Sequence, residues 1–516
     1  MQPMTRRLIP SFATAVLALA AVALSLWKLH AAQDGVAARA VDIGHIPATV
    51  YTPEAGPAGP AIVIAHGFAG SRQLMQSFAI ALARNGYTAV TFDFAGHGRN
   101  PAPLTGDITH EDGATRTLVA ETVQVVGAAR NLGDGRIGLV GHSMASDIVV
   151  HAAHQQPDVA ATVAVSMFSP AVTRTSPRNL LIVVGDWEGM LKQEALRAAG
   201  LVSAPDMPRE GITYGSFKDG NARRAAFVPQ SEHVSVLFRI PGLAETVQWF
   251  DQTFALPRTA PINIPSRGGW IALLFAGIAF LMKPASHLLP RVSPTQRGAN
   301  LGWHDLWIPM LLPAVLTPVL LLFAPTHFLP VLVADYLAVH FATYGALTAL
   351  TLRRTRARAR VVAPQFMWGA NRTAFAVCLI ALLVFYAAAV FWPLDTYFAS
   401  FYPSTARLPL VLIMFCGTLC YFLADEWLTR GANAARWAPA ASKAAFLASL
   451  AIAVALDFER LFFLVIIIPA ILIFFGFFGL VSAWTYRQTG HPWVAAAANA
   501  AALAIALGVT FPLVSG

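Results

Sequence analysis

The chain has 516 residues, of which 56% are hydrophobic and only 12% charged, about half of the roughly 25% charge usual in soluble proteins. A wholly soluble globular protein is excluded, and so is intrinsic disorder, which needs low hydrophobicity and conflicts with a mean hydropathy of +0.57, 33 Phe and 12 Trp. The net charge of +9 does not mark a nucleic-acid partner. The densest basic run, Arg353, Arg354, Arg356, Arg358 and Arg360, lies between two long apolar stretches and reads as a cytoplasmic loop.

No charge occurs between Arg7 and Lys28, and about 20 apolar residues suffice to cross a hydrocarbon core. Residues 1–30 are therefore expected to form a transmembrane anchor. A cleaved signal peptide is the alternative, given the basic flank Arg6-Arg7 and the small Ala31 and Ala32. In residues 31–255 charges return, and short β-branched runs alternate with longer amphipathic ones, the pattern of a parallel sheet with crossover helices. Strands are expected at 61–65, 87–92, 136–140, 159–165, 180–184 and 225–228, with helices at 72–84, 115–130, 144–155 and 243–254. The fold class is thus α/β, joined through a Pro-rich linker (256–268) to an all-α polytopic transmembrane domain (269–516).

That domain is expected to hold eight further spans, near 269–286, 305–323, 328–350, 373–394, 408–428, 440–457, 461–483 and 493–513, nine in all. Alternation puts Lys283, Arg291 and Arg297, the Arg353 run with Arg372, then Arg430, Arg436 and Lys443, then Arg487 on the side of Arg6 and Arg7, while the other connections hold little basic charge. Since Lys and Arg collect on the cytoplasmic side, residues 31–265 are expected outside, in the periplasm or the extracellular space. Asp335, His340, Asp425, Glu426, Asp457 and Glu459 fall within or at the ends of spans, where interfacial placement or helix pairing is the plain expectation and function the sharper one. Cys378, Cys416 and Cys420 all sit in apolar runs and imply no disulfide.

The residues that could carry chemistry lie in the α/β region. Arg136 to Ala145 runs from a strand through Gly141-His142-Ser143-Met144-Ala145 into an apolar helix. This is a nucleophile elbow: a tight strand-to-helix turn lifts a serine hydroxyl above the sheet, and small flanking residues let helix and strand approach. Upstream, the strand at 61–65 ends in His66-Gly67-Phe68-Ala69-Gly70, a turn that can aim backbone N–H groups at a developing oxyanion. The N–H groups of Phe68 and Met144 are the expected oxyanion hole.

With Asp93-Phe-Ala-Gly96-His97-Gly98-Arg99 after the next strand, the order and spacing of these motifs over residues 40–255 resemble the α/β-hydrolase superfamily, nearest to its dienelactone-hydrolase, serine-aminopeptidase and lysophospholipase-like group. The resemblance implies the order serine, acid, histidine. Two carboxylates compete as the acid: Glu188, three residues beyond the strand-ending Gly185, is favoured over Asp186, which is nearer the strand. His233, following the last strand, is the implied base. His66, His97 and His142 read as turn and packing residues, and His151 and His154 as structural. Only about 14 residues separate Val165 from Leu180, so no large cap is expected, and the membrane half could supply the missing wall.

No cofactor or metal is implied, since paired His, Cys clusters, HExxH, phosphate-loop and dinucleotide motifs are lacking. The expected function is a membrane-anchored serine hydrolase acting through an acyl-enzyme on a small-molecule or lipid ester, lipid-linked esters included, with membrane lipid as its surroundings. A membrane acyltransferase is one alternative. A transporter or assembly protein with a non-catalytic hydrolase-like binding module is another.

Overall fold

A computed structural model describes residues 5–106, 111–258, 260–326, 328–358 and 371–515. Residues 1–4 of the expected anchor, Thr259 of the linker, His327 of an outer connection, Arg360 of the basic run and the terminal Gly516 lie outside the described residues.

Runs of Ala, Val and Ile bounded by turn residues form strands, and those covered on both faces are apolar throughout. Eight strands result: β1 (Val36–Ile43), β2 (Ile46–Pro53), β3 (Ala61–Ala65), β4 (Thr88–Phe92), β5 (Ile137–His142), β6 (Val159–Val165), β7 (Leu180–Gly185) and β8 (Arg223–Val228). Every residue of β3, β4, β5 and β7 is buried. The sheet order is β1-β2-β4-β3-β5-β6-β7-β8. β2 runs antiparallel to β1 and β4, and all other pairs are parallel. The six expected strands correspond to β3 through β8. The β1–β2 hairpin is additional, and β1 escaped a sequence reading because it is an edge strand with most of its side chains exposed.

Helices cover both faces. α2 (Gln76–Arg84) and α6 (Ile240–Phe254) share one core through Phe78, Leu243, Trp249 and Phe250, whereas α3 (Arg116–Leu132) and α4 (Met144–Gln155) build the opposite core through Val125, Val126, Ile148 and Val149. α5 (Gly189–Ser203), between β7 and β8, packs on the sheet through Ala195, Ala198 and Ala199. No helix interrupts residues 166–179 between β6 and β7, so no cap is inserted there.

The rest of the chain is helical: α7 (Gly268–Ser286), α8 (Trp303–Leu321), α9 (Ala334–Arg358), α10 (Arg372–Phe385), which passes through a π-turn at Tyr386–Phe391 into α11 (Trp392–Tyr397), α12 (Leu408–Thr429), α13 (Ala438–Leu456), the short α14 (Phe458–Leu461), α15 (Leu464–Thr489) and α16 (Trp493–Thr510). N-terminal α1 (Thr5–Ala31) packs along α7. Among the described residues eight helices are long and apolar enough to cross a membrane, which is compatible with an integral membrane protein.

Nine spans were expected, and the difference is α9. It is long enough, but Asp335, Tyr336, His340 and Tyr344 make it less apolar than the others, and all four side chains are buried. It packs between α8 and α12. Gly345 and Gly417 let α9 and α12 approach so closely that a Cβ at Gly417 would stand 2.3 Å from the Ala338 carbonyl oxygen, the small-residue contact by which helices associate in lipid. Asp335 accepts the N–H groups of Phe328 and Tyr336, and His340 lies 3.1 Å from Ser449 Oγ.

A second difference concerns Lys443 and Arg430. Both were expected to be connection charges, yet Lys443 lies within α13 and both are buried. Lys443 Nζ is 2.6 Å from Asp425, which also accepts Ser442 Oγ–H, and Arg430 Nε is 2.8 Å from Glu426. The two α12 carboxylates are thus paired with one cation just beyond the end of their own helix and one from α13. Removing one partner of a buried pair strands the other and costs about 3–5 kcal/mol. Lys443→Met is therefore expected to lower the thermal unfolding midpoint of the detergent-solubilised protein clearly, and adding Asp425→Asn to restore a large part of the loss.

Candidate active site

The site forms where the strands end. β5 stops at His142 and α4 starts at Met144, leaving Ser143 alone to turn the chain, with φ 54° and ψ −120°. Its N–H donates to Val165 O of the neighbouring strand (2.9 Å), and its carbonyl accepts both the N–H and the Oγ–H of Ser146. Glycine is required on either side of this turn. A Cβ at Gly141 would stand 2.3 Å from Ala145 O, and one at Gly67 2.9 Å from Ser143 Cβ.

Three expected residues meet here. His233 Nε2 lies 2.8 Å from Ser143 Oγ, and His233 Nδ1 lies 2.6 Å from Glu188 Oε1. The other carboxylate oxygen of Glu188 accepts Ser166 Oγ–H and the Gly185 N–H, each at 2.7 Å. Asp186, the competing carboxylate, is half exposed and pairs with Lys192 at 2.7 Å. Geometry therefore separates the two carboxylates, and only Glu188 reaches His233. Ser166 is a site residue that sequence reasoning missed: its contact exists because β6 and β7 are neighbours, which no local pattern encodes.

The N–H groups of Phe68 and Met144 have no hydrogen-bond acceptor among the described residues, so both are free to bind an oxyanion. The surrounding histidines are buried. His66 sits between the Gly67 carbonyl (2.8 Å from Nδ1) and the Phe94 N–H, which its Nε2 accepts, and burial lowers its pKa. Burial likewise pushes His97 and His142 down to about 3, with His142 Nε2 2.9 Å from the His233 carbonyl. All three stay neutral and hold loops. His151 and His154 lie on α4, with His151 3.5 Å from Asp147. Among the described residues no group of three or more His, Cys, Asp or Glu is placed to hold a metal ion.

The helical half seats on the two loops beside this site. The Phe68 ring packs against Phe463, with centroids 4.5 Å apart. Fully buried Arg407 donates to Gly96 O (2.6 Å) in the loop after β4 and to Gly508 O and Phe511 O at the end of α16. Ser71 Oγ accepts Ser400 N–H, Gln76 donates to Thr396 O, Arg99 pairs with Asp395, and Leu104 exchanges backbone bonds with Leu513 and Ser515. The helical half thus touches the loop of the expected oxyanion donor through the Phe68 ring.

Residues 60–222 match the family described as alpha/beta hydrolase fold, and the strand order with its antiparallel β2 agrees. The sheet and its helices form an α/β-hydrolase fold. The chain is 30% identical over 141 residues to a 2-(acetamidomethylene)succinate hydrolase of Mesorhizobium japonicum, covering 27% of this chain and 46% of the relative. It therefore spans just under half the length of that relative. Among solved structures, a predicted CIB-like hydrolase from Thermoplasma acidophilum is 17% identical (TM-score 0.33; 42% of this chain, 97% of that one). The structure of E-2-(acetamidomethylene)succinate hydrolase is also 17% identical (TM-score 0.29; 43% and 99%).

The Glu188 environment generates a pH signature. Burial alone would raise its pKa, but hydrogen bonds from His233, Ser166 and the Gly185 N–H outweigh it and hold the carboxyl below its ordinary value of about 4.5. A carboxyl depressed by folding stabilises the folded chain above its unfolded value, and that contribution drains away as pH falls through the lower folded value. The stability gap between wild type and Glu188→Gln, from thermal unfolding across a pH series, is expected to be full at neutral pH and to shrink below about pH 4.5. A gap independent of pH would show the carboxylate to be unpaired.

Proposed function

We propose that this protein is a membrane-anchored serine hydrolase that cleaves carboxylic esters, lipid or lipid-linked ones included, through an acyl-enzyme on the non-cytoplasmic side. The observation that carries the reading is the hydrogen-bonded chain from Ser143 Oγ through the His233 ring to Glu188 Oε1, at 2.8 and 2.6 Å. Neutral His233 takes the hydroxyl proton at Nε2 as Ser143 Oγ bonds to the substrate carbonyl carbon. Glu188 fixes the tautomer and stabilises the imidazolium. The carbonyl oxygen, now an anion, accepts the N–H groups of Phe68 and Met144. His233 returns the proton to the departing alkoxide, which leaves as the alcohol. It then removes a proton from water, whose oxygen attacks the acyl-Ser143 ester, and it hands that proton to Ser143 Oγ as the serine leaves and the acid is released.

Hydrolysis is preferred to a binding module because the serine, base and acid are retained in contact, and because the 30% identical relative bears the name of a hydrolase. The outward assignment of the α/β part rests on the basic connections of the helical half. A cysteine introduced at an exposed position such as Arg39, reacting with an impermeant thiol reagent in intact cells, would support that side, and protection until lysis would reverse it.

The chemistry is tested with a fluorophosphonate probe. Wild type should be labelled and Ser143→Ala not. Glu188→Gln should slow labelling by on the order of 10³–10⁴-fold, the scale seen when a base loses its orienting carboxylate. Asp186→Asn should change it by less than about twofold, as expected of a surface ion pair. Unlabelled wild type, or equal effects of the two acid variants, would overturn the assignment.

A further inference from the structure

We infer that the active site opens onto the bilayer surface through an apolar rim, and that its substrate is a long-chain acyl ester drawn from the membrane in which the chain itself sits. This rests on the serine hydrolase reading and names the substrate class.

Large apolar side chains are scarce on the surface of the α/β part. Among its described residues between 36 and 254 the exposed ones are Phe168, Trp187, Met190, Met207, Ile212, Val234 and Ile240. Four of these seven flank the reacting groups. Trp187 precedes Glu188 and Met190 follows it by two residues, Val234 follows His233, and Phe168 lies two residues beyond Ser166, whose hydroxyl binds Glu188. Trp187, Met190 and Phe168 are 68%, 77% and 65% exposed, although each sits within two residues of a buried or hydrogen-bonded site group. Because β5, β6, β7 and β8 are parallel neighbours, the loops carrying these side chains emerge side by side at the edge where Ser143 sits. Isolated exposed apolar residues need no explanation, but a cluster at a site mouth marks a binding surface.

The opposite side of the mouth belongs to the membrane half. Phe68, proposed above as an oxyanion donor, packs on Phe463, which precedes the spanning helix α15. Exposed Phe458 and Phe462 flank it in the same connection. Ser143 therefore stands between an apolar rim and the end of two spans, with no cap across the 166–179 loop. An acyl chain leaving lipid gives up apolar contact at every methylene, and a site that accepts one directly from the bilayer must offer it apolar surface next to the nucleophile. This mouth has that layout.

The test uses the full chain reconstituted in phosphatidylcholine vesicles. Hydrolysis of p-nitrophenyl palmitate dissolved in the same vesicles is compared with that of water-soluble p-nitrophenyl acetate. Wild type is expected to favour the palmitate by at least tenfold in kcat/KM, and Phe168→Ser with Trp187→Ser to lower the palmitate-to-acetate ratio by at least tenfold. A Met190→Ser variant gives a second reading should the double variant fail to fold, and the wild-type ratio needs no variant. Fluorophosphonate labelling of Ser143 separates the failures. Labelled enzyme with a ratio near one, or a ratio unmoved by the rim substitutions, overturns the acyl rim and leaves the hydrolase standing, whereas no labelling and no turnover of either ester overturns the hydrolase itself. Equal preference for palmitate offered in detergent micelles without a bilayer would overturn the membrane as the source.

Discussion

The left-handed backbone of Ser143 is the constraint on which the site depends. A non-glycine residue held there is strained by about 1–3 kcal/mol and persists only where its surroundings over-determine it. Three elements do so: β6 receives the Ser143 N–H, the first turn of α4 returns two donors to its carbonyl, and Gly141 allows α4 to lie against β5. With the backbone fixed, Cβ is held at the end of the sheet, and Oγ lies 2.8 Å from His233 in the loop that follows β8. Glu188 is then selected by strand adjacency, because β7 lies beside β8 and its following turn brings the carboxylate beneath the imidazole.

The second organising feature is the seam between the sheet and the helical half. It involves the loops after β3 and β4, the first of which carries Phe68, and Phe238 beyond β8, which stacks on Phe398, while Phe168 and Trp187 beyond β6 and β7 stay exposed. Arg407 is central to it. A buried guanidinium without a carboxylate is costly unless its donors are met, and here three backbone carbonyls from both halves meet them. The helical half therefore touches both loops, the one after β4 through the Arg407 cation and the Phe68 loop through the ring of Phe463.

Much of this could be read from residues alone, and the exceptions have physical reasons. Strands β3 through β7 announce themselves as short apolar runs because they are buried on both faces, and β8 does so through its Ala225–Val228 half; exposed β1 carries no such run. The Gly141-His142-Ser143 turn and the Phe68 turn were legible because tight geometry demands small residues at fixed positions. The choice of Glu188 over Asp186 leaned on resemblance, since both carboxylates share one loop and their separation depends on long-range contacts with His233 and Ser166. In the helical half, periodicity cannot distinguish a lysine in a connection from one buried a turn and a half inside a helix, and so Lys443 was misplaced. Nor does a window of hydropathy show that the polar side of α9 faces other helices.

The Lys443–Asp425 contact also bears on biogenesis. A lone lysine or aspartate in an apolar helix opposes partitioning into lipid by roughly 2.5–3.5 kcal/mol near the centre of the span, less towards its ends. α12 carries two carboxylates and α13 a lysine and a serine that answer one of them, with only residues 430–437 between the helices. Each helix is apolar enough to span on its own, and folded back on one another the two present a charge-compensated hairpin.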